Sequence, residues 1–357
     1  MKEPDMEYSP LLSFIIPMYN AALTLERCVE SIISDANNAQ IPYEVLIVEN
    51  GSTDQSYEIA QNMSHVHKKI RILECDKGVS RARNMGISTA SGKKLIFVDA
   101  DDMWIAGSVV EVYRQIREAD VDLAVYSYQK DYKSIIHGYT MLNQTISETA
   151  LDSCRAWMIS RPTLRMQVWA KVFDRKVIVD NGLLFDENLR YSEDSEFMLR
   201  YLQACRRIWV SDIPVYRYCC DTLSAMRDYD SMRLEQYKKS LQISWKYMEH
   251  SSMMIQQSFW EYVLIHLNVI CVHDIFDESN LDSFGKKVKK MKQLMQEKVF
   301  EEALEKVSLK NCMTLQLLPE VFMKSHLFFL GGAICCVRAY QNRRKYRKQS
   351  AKSEKRP

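Results

Sequence analysis

Three carboxylates in four positions close the apolar run Phe97-Val98-Asp99-Ala100-Asp101-Asp102. Like charges this close repel, so a nearby cation is needed to offset them. Hard carboxylate oxygens suit Mg²⁺ or Mn²⁺, ions that keep some waters and take further ligands from a substrate's phosphates. Taken alone, the same residues describe a solvated acidic turn. A second loop, Glu49-Asn50-Gly51-Ser52-Thr53-Asp54, offers a carboxylate and an amide able to read the hydrogen-bonding edge of a base. Its structural minimum is a turn, with Gly51 free to take positive φ and Ser52 or Thr53 capping the next helix. A third stretch, from Gly78 to Gly86, brings Arg81 and Arg83 to the opening of a helix, where guanidinium groups and helix N–H groups suit a diphosphate.

The elements around these loops follow from periodicity. Leu12–Pro17, Glu44–Val48, Ile70–Glu74 and Lys94–Val98 are short apolar, β-branched runs, as expected of strands covered on both faces. Between them Leu23–Ile33 places Leu25, Cys28, Val29, Ile32 and Ile33 along one stripe, while Thr53–Asn62, with Ser52 as its N-cap, and Ser80–Ala90 read as further helices. Strand and helix in alternation give an α/β, doubly wound, parallel arrangement, in which ligands bind beyond the carboxyl ends of the strands. The three chemical loops fall at those ends. From Asp230 onward Gly nearly disappears, and Met232–Tyr247, Ser258–Phe276 and Lys286–Val307 read as helices of a second, mostly α module. We place the boundary near Asp228, giving segments 1–228, 229–320 and 321–357.

The 357 residues are 47% hydrophobic and 26% charged, which excludes wholesale disorder, and a net charge of +2 gives no argument for a nucleic-acid partner. The opening MKEPDMEYSP lacks a signal-peptide pattern, and the ten cysteines, without any C-x-x-C, read as core residues of a protein in reducing cytosol. Charge is concentrated at the end. Residues 338–357 hold nine Lys/Arg against one Glu, just after the uncharged run Ser325–Val337. Thirteen residues make a helix of about 20 Å, too short for about 30 Å of hydrocarbon. An apolar run followed by a polybasic stretch suits an interfacial anchor at the inner face of a membrane, the plainer alternative being a packed helix with a loose tail.

P-x-Y-N at Pro17–Asn20, x-x-GSTD at Glu49–Asp54, G-x-S-x-ARN-x-G at Gly78–Gly86 and D-A-D-D at Asp99–Asp102 occur in fixed order. Together they resemble the family-2 nucleotide-sugar glycosyltransferases of GT-A fold. The likeness continues through Trp169–Phe173, Gly182–Asp186 and Glu193–Phe197, covering roughly residues 11 to 225. It implies a Rossmann-like doubly wound mixed sheet with a C-terminal helical extension. It also implies an inverting, non-processive transfer of one sugar, from a UDP- or dTDP-sugar to a hydroxyl of a glycan or lipid-linked acceptor, in cell-surface polysaccharide biosynthesis.

Carried over by position, Pro17, Tyr19, Asn20, Glu49 and Asn50 would hold the base and ribose, and Arg83 would lie near the diphosphate. Asp99 and Ala100 would face the ribose or sugar, and Asp101 would bind the Mn²⁺ or Mg²⁺ ion. Asp194 would be the general base, with Trp169, Lys171 and Glu193 on the acceptor side. Without the likeness, Tyr191–Ser195 reads as a helix N-terminus whose acids favour the dipole. The family usually has two aspartates where Glu49 and Asn50 stand. That departure keeps open a non-catalytic GT-A-like scaffold within a polysaccharide assembly complex.

Other patterns say less. His65-x-His67 has no partners at zinc spacing. Gln203–Trp209 resembles the Q-x-x-R-W element of processive synthases, with the Trp displaced by two positions. Trp245, Trp260 and Tyr262 are spaced for helix packing, or as a sugar-stacking platform.

Overall fold

A computed structural model describes residues 10–130, 134–136, 143–219, 233–308, 310 and 317–353. The boundary expected near Asp228 lies outside them. By its internal contacts the chain divides into two compact units. The first contains residues 1–154, 167–188 and 193–219, and the second residues 155–166, 189–192 and 220–357.

The first unit is built on one sheet. Four strands, β1 (Leu12–Met18), β2 (Tyr43–Glu49), β3 (Ile70–Glu74) and β4 (Lys94–Phe97), alternate with α1 (Leu25–Asn38), α2 (Ser56–Val66) and α3 (Val79–Thr89). They pair in parallel in the order β3-β2-β1-β4. This is the alternation read from the sequence, and β1, β2 and β4 are buried along their whole lengths, as two-sided coverage requires. Helix α3 lies close on β1, because Gly86 faces Ile15 where any Cβ would collide.

Beyond β4 the sheet becomes mixed. After β5 (Met103–Trp104), α4 (Ser108–Glu118), β6 (Leu123–Lys130), β7 (Ser134–Ile136) and β8 (Gln144–Ser147) come α5 (Leu151–Ile159) and α6 (Pro162–Arg165). Strand β9 (Lys171–Asp174) then inserts antiparallel between β4 and β6. It is followed by α7 (Arg175–Asp180), α8 (Glu193–Ala204) and the long β10 (Arg207–Tyr218), which runs parallel to β6. Phe97, Phe173, Phe185 and Phe197 form an aromatic cluster, with Phe185 and Phe197 stacked at 4.1 Å. This cluster seats α8 and so fixes where Glu193 and Asp194 begin it.

The second unit is helical: α9 (Arg233–Met248), α10 (Met253–Ile270) with a π-helical continuation over Cys271–Ile275, α11 (Phe284–Met295), α12 (Lys298–Lys306), α13 (Leu318–Lys324) and α14 (Phe328–Ser353). The stretch Lys286–Val307, expected as one helix, breaks at Gln296-Glu297 into α11 and α12. Trp260 and Tyr262 are buried, and the half-buried Trp245 packs on Trp260 at 4.5 Å, as helix packing requires. Among the described residues no helix is long and apolar enough to cross a membrane.

Candidate active site

The loops after β1 and β2 are held to each other by side chains. Asn20, at φ 48°, accepts the Thr53 N–H at 2.8 Å. Asn50 donates through its amide to the Met18 carbonyl at 2.9 Å and accepts the Gly78 N–H at 3.3 Å. Glu49 accepts both the N–H and the hydroxyl of Ser52. Ser52 is therefore not the cap of α2, which begins at Ser56. Asp54 accepts the Ser56 N–H at 3.0 Å and the Ala22 N–H at 3.1 Å, tying that helix to the β1 loop. Pro17 is buried in β1, whereas Tyr19 is exposed, with the Lys77 ammonium 4.2 Å above its ring and bonded to its hydroxyl at 2.7 Å.

At the end of β4 the acids converge on one guanidinium. Arg83, on the first turns of α3 and 3% exposed, donates to Asp194 at 2.6 Å, Glu193 at 3.2 Å and Asp99 at 3.3 Å. Residues far apart in the chain thus meet around a single planar fork, the geometry at which arginine outperforms lysine. Burial alone would lower the Arg83 pKa, but the charges of Asp194, Asp99 and Glu193 outweigh it and hold the guanidinium above its ordinary value. Burial pushes Asp99 up to about 6 despite Arg83, with Asp101 and Asp194 adding to the rise. Glu193 is pushed up to about 7 by burial and by Asp194. One cation among three carboxylates leaves the cluster electron-rich and receptive to further positive charge.

Asp101 and Asp102 behave differently although adjacent. Asp102 is fully buried, accepting the Tyr216 hydroxyl and the Cys219 N–H, each at 2.7 Å. Its burial, reinforced by Asp101 and Asp99, raises its pKa well above the usual carboxylate range. The Tyr216 hydroxyl also accepts the Asp99 N–H at 3.1 Å. The backbone carbonyl of Asp101 accepts from Arg27 at 2.9 Å. Among the described residues no group of three or more His, Cys, Asp or Glu side chains is arranged to hold a metal ion. A closed protein cage is therefore not the fit. A hard divalent ion that takes only one or two carboxylates and completes its shell from substrate phosphates and water is the kind that the Asp101 carboxylate would hold.

On the other flank, Trp169 lies between Tyr216 and Tyr218, stacked at 4.8 and 5.5 Å, with the Tyr128 ring set edgewise at 4.7 Å. Lys171, on β9, is 1% exposed; burial pushes its ammonium down to about 7, with the Asp194 charge acting against that fall. Arg83, Asp99, Glu193 and Asp194 thus form one contact cluster, and Lys171 lies within reach of the Asp194 charge. Ala100 is buried between Asp99 and Asp101. Tyr216, Arg27 and Lys77 join the site without any signal in the sequence. Tyr216 lies 117 residues from Asp99, and no local spacing marks it.

A doubly wound sheet that inserts an antiparallel strand beside an acidic loop at the end of its fourth strand is the GT-A architecture. Residues 13–170, a little under half of the chain, match the family model described as Glycosyl transferase family 2. Among curated proteins it is similar to the uncharacterized glycosyltransferase EpsJ of Bacillus subtilis, 27% identical over 58% of this chain and 61% of that one. The uncharacterized glycosyltransferase YibD of Escherichia coli is 33% identical over 54% of this chain and 58% of its own length. The chain thus spans about 60% of the length of these two relatives. Among solved structures, TarS of S. aureus superposes with a TM-score of 0.65 over 93% of this chain and 91% of that one, at 18% identity, a likeness of fold. A further structure, of TarS in complex with UDP-GlcNAc, matches with a TM-score of 0.65 at 19% identity, over 94% and 91% of the two chains.

Proposed function

We propose that the protein transfers a single sugar, with inversion, from a UDP- or dTDP-sugar to a hydroxyl of a glycan or lipid-linked acceptor in cell-surface polysaccharide biosynthesis. The observation that carries this reading is the contact of Asp194 and Asp99 with the two ends of one buried guanidinium. It brings a carboxylate able to deprotonate an acceptor into the same cluster as the acids of the donor loop. Asp194 serves as general base, an effect worth typically about 10²–10⁴-fold. Arg83 orients that base and holds Asp99 in register with it, and the diphosphate lies along the same side of α3.

Pro17, Tyr19, Asn20, Glu49 and Asn50 frame the base and ribose, while Asp99 and Ala100 line the sugar side. Asp101 would hold Mn²⁺ or Mg²⁺, and such an ion, when bound, neutralises charge on the departing nucleoside diphosphate. Trp169, Lys171 and Glu193 border the acceptor. The family match and the glycosyltransferase relatives support transfer as the reaction, and the fold shared with a UDP-GlcNAc-binding protein supports a nucleotide-sugar donor. The protein works in the cytoplasm, peripheral to the inner face of the membrane.

Purified protein screened against several nucleotide-sugars with Mn²⁺ or Mg²⁺, scoring released nucleoside diphosphate, tests the reading. Turnover with one donor, abolished in Asp194→Asn, supports it; no release with any donor or acceptor overturns it. A scaffold reading draws on the Glu49 and Asn50 side chains, which already bond to Ser52, Met18 and Gly78. Calorimetry with Mn²⁺ and nucleoside diphosphates separates the two, since the scaffold binds none.

A further inference from the structure

Helix α14 has two apolar faces, and its own unit covers only one. Gly331, Gly332, Cys335 and Ala339 line the packed face, and a Cβ on Gly332 would stand 2.9 Å from the Phe276 ring. The opposite stripe, Leu330, Ala333, Val337 and Tyr340, follows helical spacing and stays exposed, its three large side chains about half open to solvent. Phe329 is 64% exposed and meets Phe284 of α11 at 6.2 Å between ring centroids, while Leu327 and Leu281 add further exposed apolar surface. Contiguous exposed apolar surface of this kind marks an interaction site.

Basic side chains outnumber acids around the patch, where Glu278 is also exposed. Lys286, Lys289 and Lys292 are exposed along α11 beside Phe284, and the Lys292 ammonium lies 4.3 Å from the Phe328 ring centroid. Arg344 is exposed further along α14, and the sequence continues with Lys345, Arg347, Lys348 and Lys352. The nearby acids Asp277 and Asp282 are already paired, with Arg343 at 2.6 Å and Lys290 at 2.6 Å.

We propose that this face docks on an anionic lipid bilayer. Leu327, Phe329, Leu330, Val337 and Tyr340 enter the headgroup–acyl boundary, with α14 lying in the plane of the surface, and Lys286, Lys289, Lys292 and Arg344 meet lipid phosphates. A second copy of the chain fits less well, because a two-fold contact through this face would bring the lysines of both copies into one interface. The proposal names the surface behind the peripheral placement given above, and it needs neither donor nor catalysis.

The 357-residue chain is sedimented with phosphatidylglycerol-containing or pure phosphatidylcholine vesicles, without nucleotide, at low and high salt. Binding is expected to the anionic vesicles and to fall with salt. The double substitutions Phe329→Ser/Leu330→Ser and Lys286→Glu/Lys289→Glu should each weaken it by roughly tenfold or more. Both pairs are exposed, and an unchanged thermal midpoint confirms intact folding. Absent binding, equal binding to both vesicle types, or a dimer that Phe329→Ser/Leu330→Ser dissolves would each overturn the proposal. Vesicle binding without sugar transfer would leave this surface standing while removing the transferase reading; transfer without vesicle binding would do the reverse.

Discussion

The guanidinium of Arg83 stands 2.6 Å from the carboxylate of Asp194, a residue 111 positions away, and is closed off from solvent. An arginine that the family pattern would place beside a diphosphate thus also holds the carboxylate proposed as the base. Both proposed roles are compatible with one fork, because its other end reaches Asp99 in the acidic loop after β4.

Replacing Asp194 by Asn should lower turnover by about 10²–10⁴-fold, the usual contribution of a general base. The amide still fills the place beside Arg83, so UDP affinity measured by calorimetry should stay near that of the unaltered protein. A fully active variant would remove Asp194 from the role.

Arg83→Met should destabilise the first unit by about 3–5 kcal/mol, the range for breaking a buried pair from one side. Thermal unfolding reads this directly. Arg83→Lys keeps the charge but cannot span three carboxylates, so kcat should fall even where folding is restored.

Tyr216→Phe tests the support of the acidic loop. The ring keeps its stack on Trp169, but Asp102 loses a donor and the Asp99 N–H its acceptor. A stability loss of about 1–3 kcal/mol is expected. Donor KM should rise more than kcat falls, since the loop's position changes and the base does not.

Glu320 gives a pH dependence with a definite sign. It is fully buried, neither carboxylate oxygen meets a partner on another residue among those described, and burial pushes its pKa up to about 8 against a partial pull from Arg338. Because the folded-state value exceeds the unfolded one, its contribution to stability is complete below about pH 4.5 and is lost as pH rises through about 8. A tenfold change in a group's acidity between the two states corresponds to about 1.4 kcal/mol. Glu320→Gln should therefore raise the thermal midpoint above about pH 7 and flatten its decline between about pH 5 and 8. Parallel profiles for the two proteins would contradict this.

Much of the sheet was legible because β1 to β4 are apolar runs separated by single-stripe helices, a pattern local enough to read without partners. The antiparallel entry of β9 was not. Lys171–Asp174 is only four residues long, and its direction is set by pairing with β4 and β6 rather than by any period of its own. Ser52 misled as a cap because its hydroxyl has a stronger alternative in Glu49 nearby. The aspartates and Arg83 stood out by type and spacing, but their convergence depends on the aromatic cluster that seats α8, which no linear pattern encodes. Tyr216 has no signature beyond being one of nineteen tyrosines.

The place of β9 also bears on how the chain is made. Strands β4 and β6 leave the ribosome well before Lys171–Asp174, yet that late segment lies between them. Until it emerges, the nascent polypeptide holds two half-built sheets with bare edges, the kind of template that invites pairing with a neighbouring chain. A fragment cut at residue 170, where the family match stops, would carry that defect permanently and should precipitate on expression.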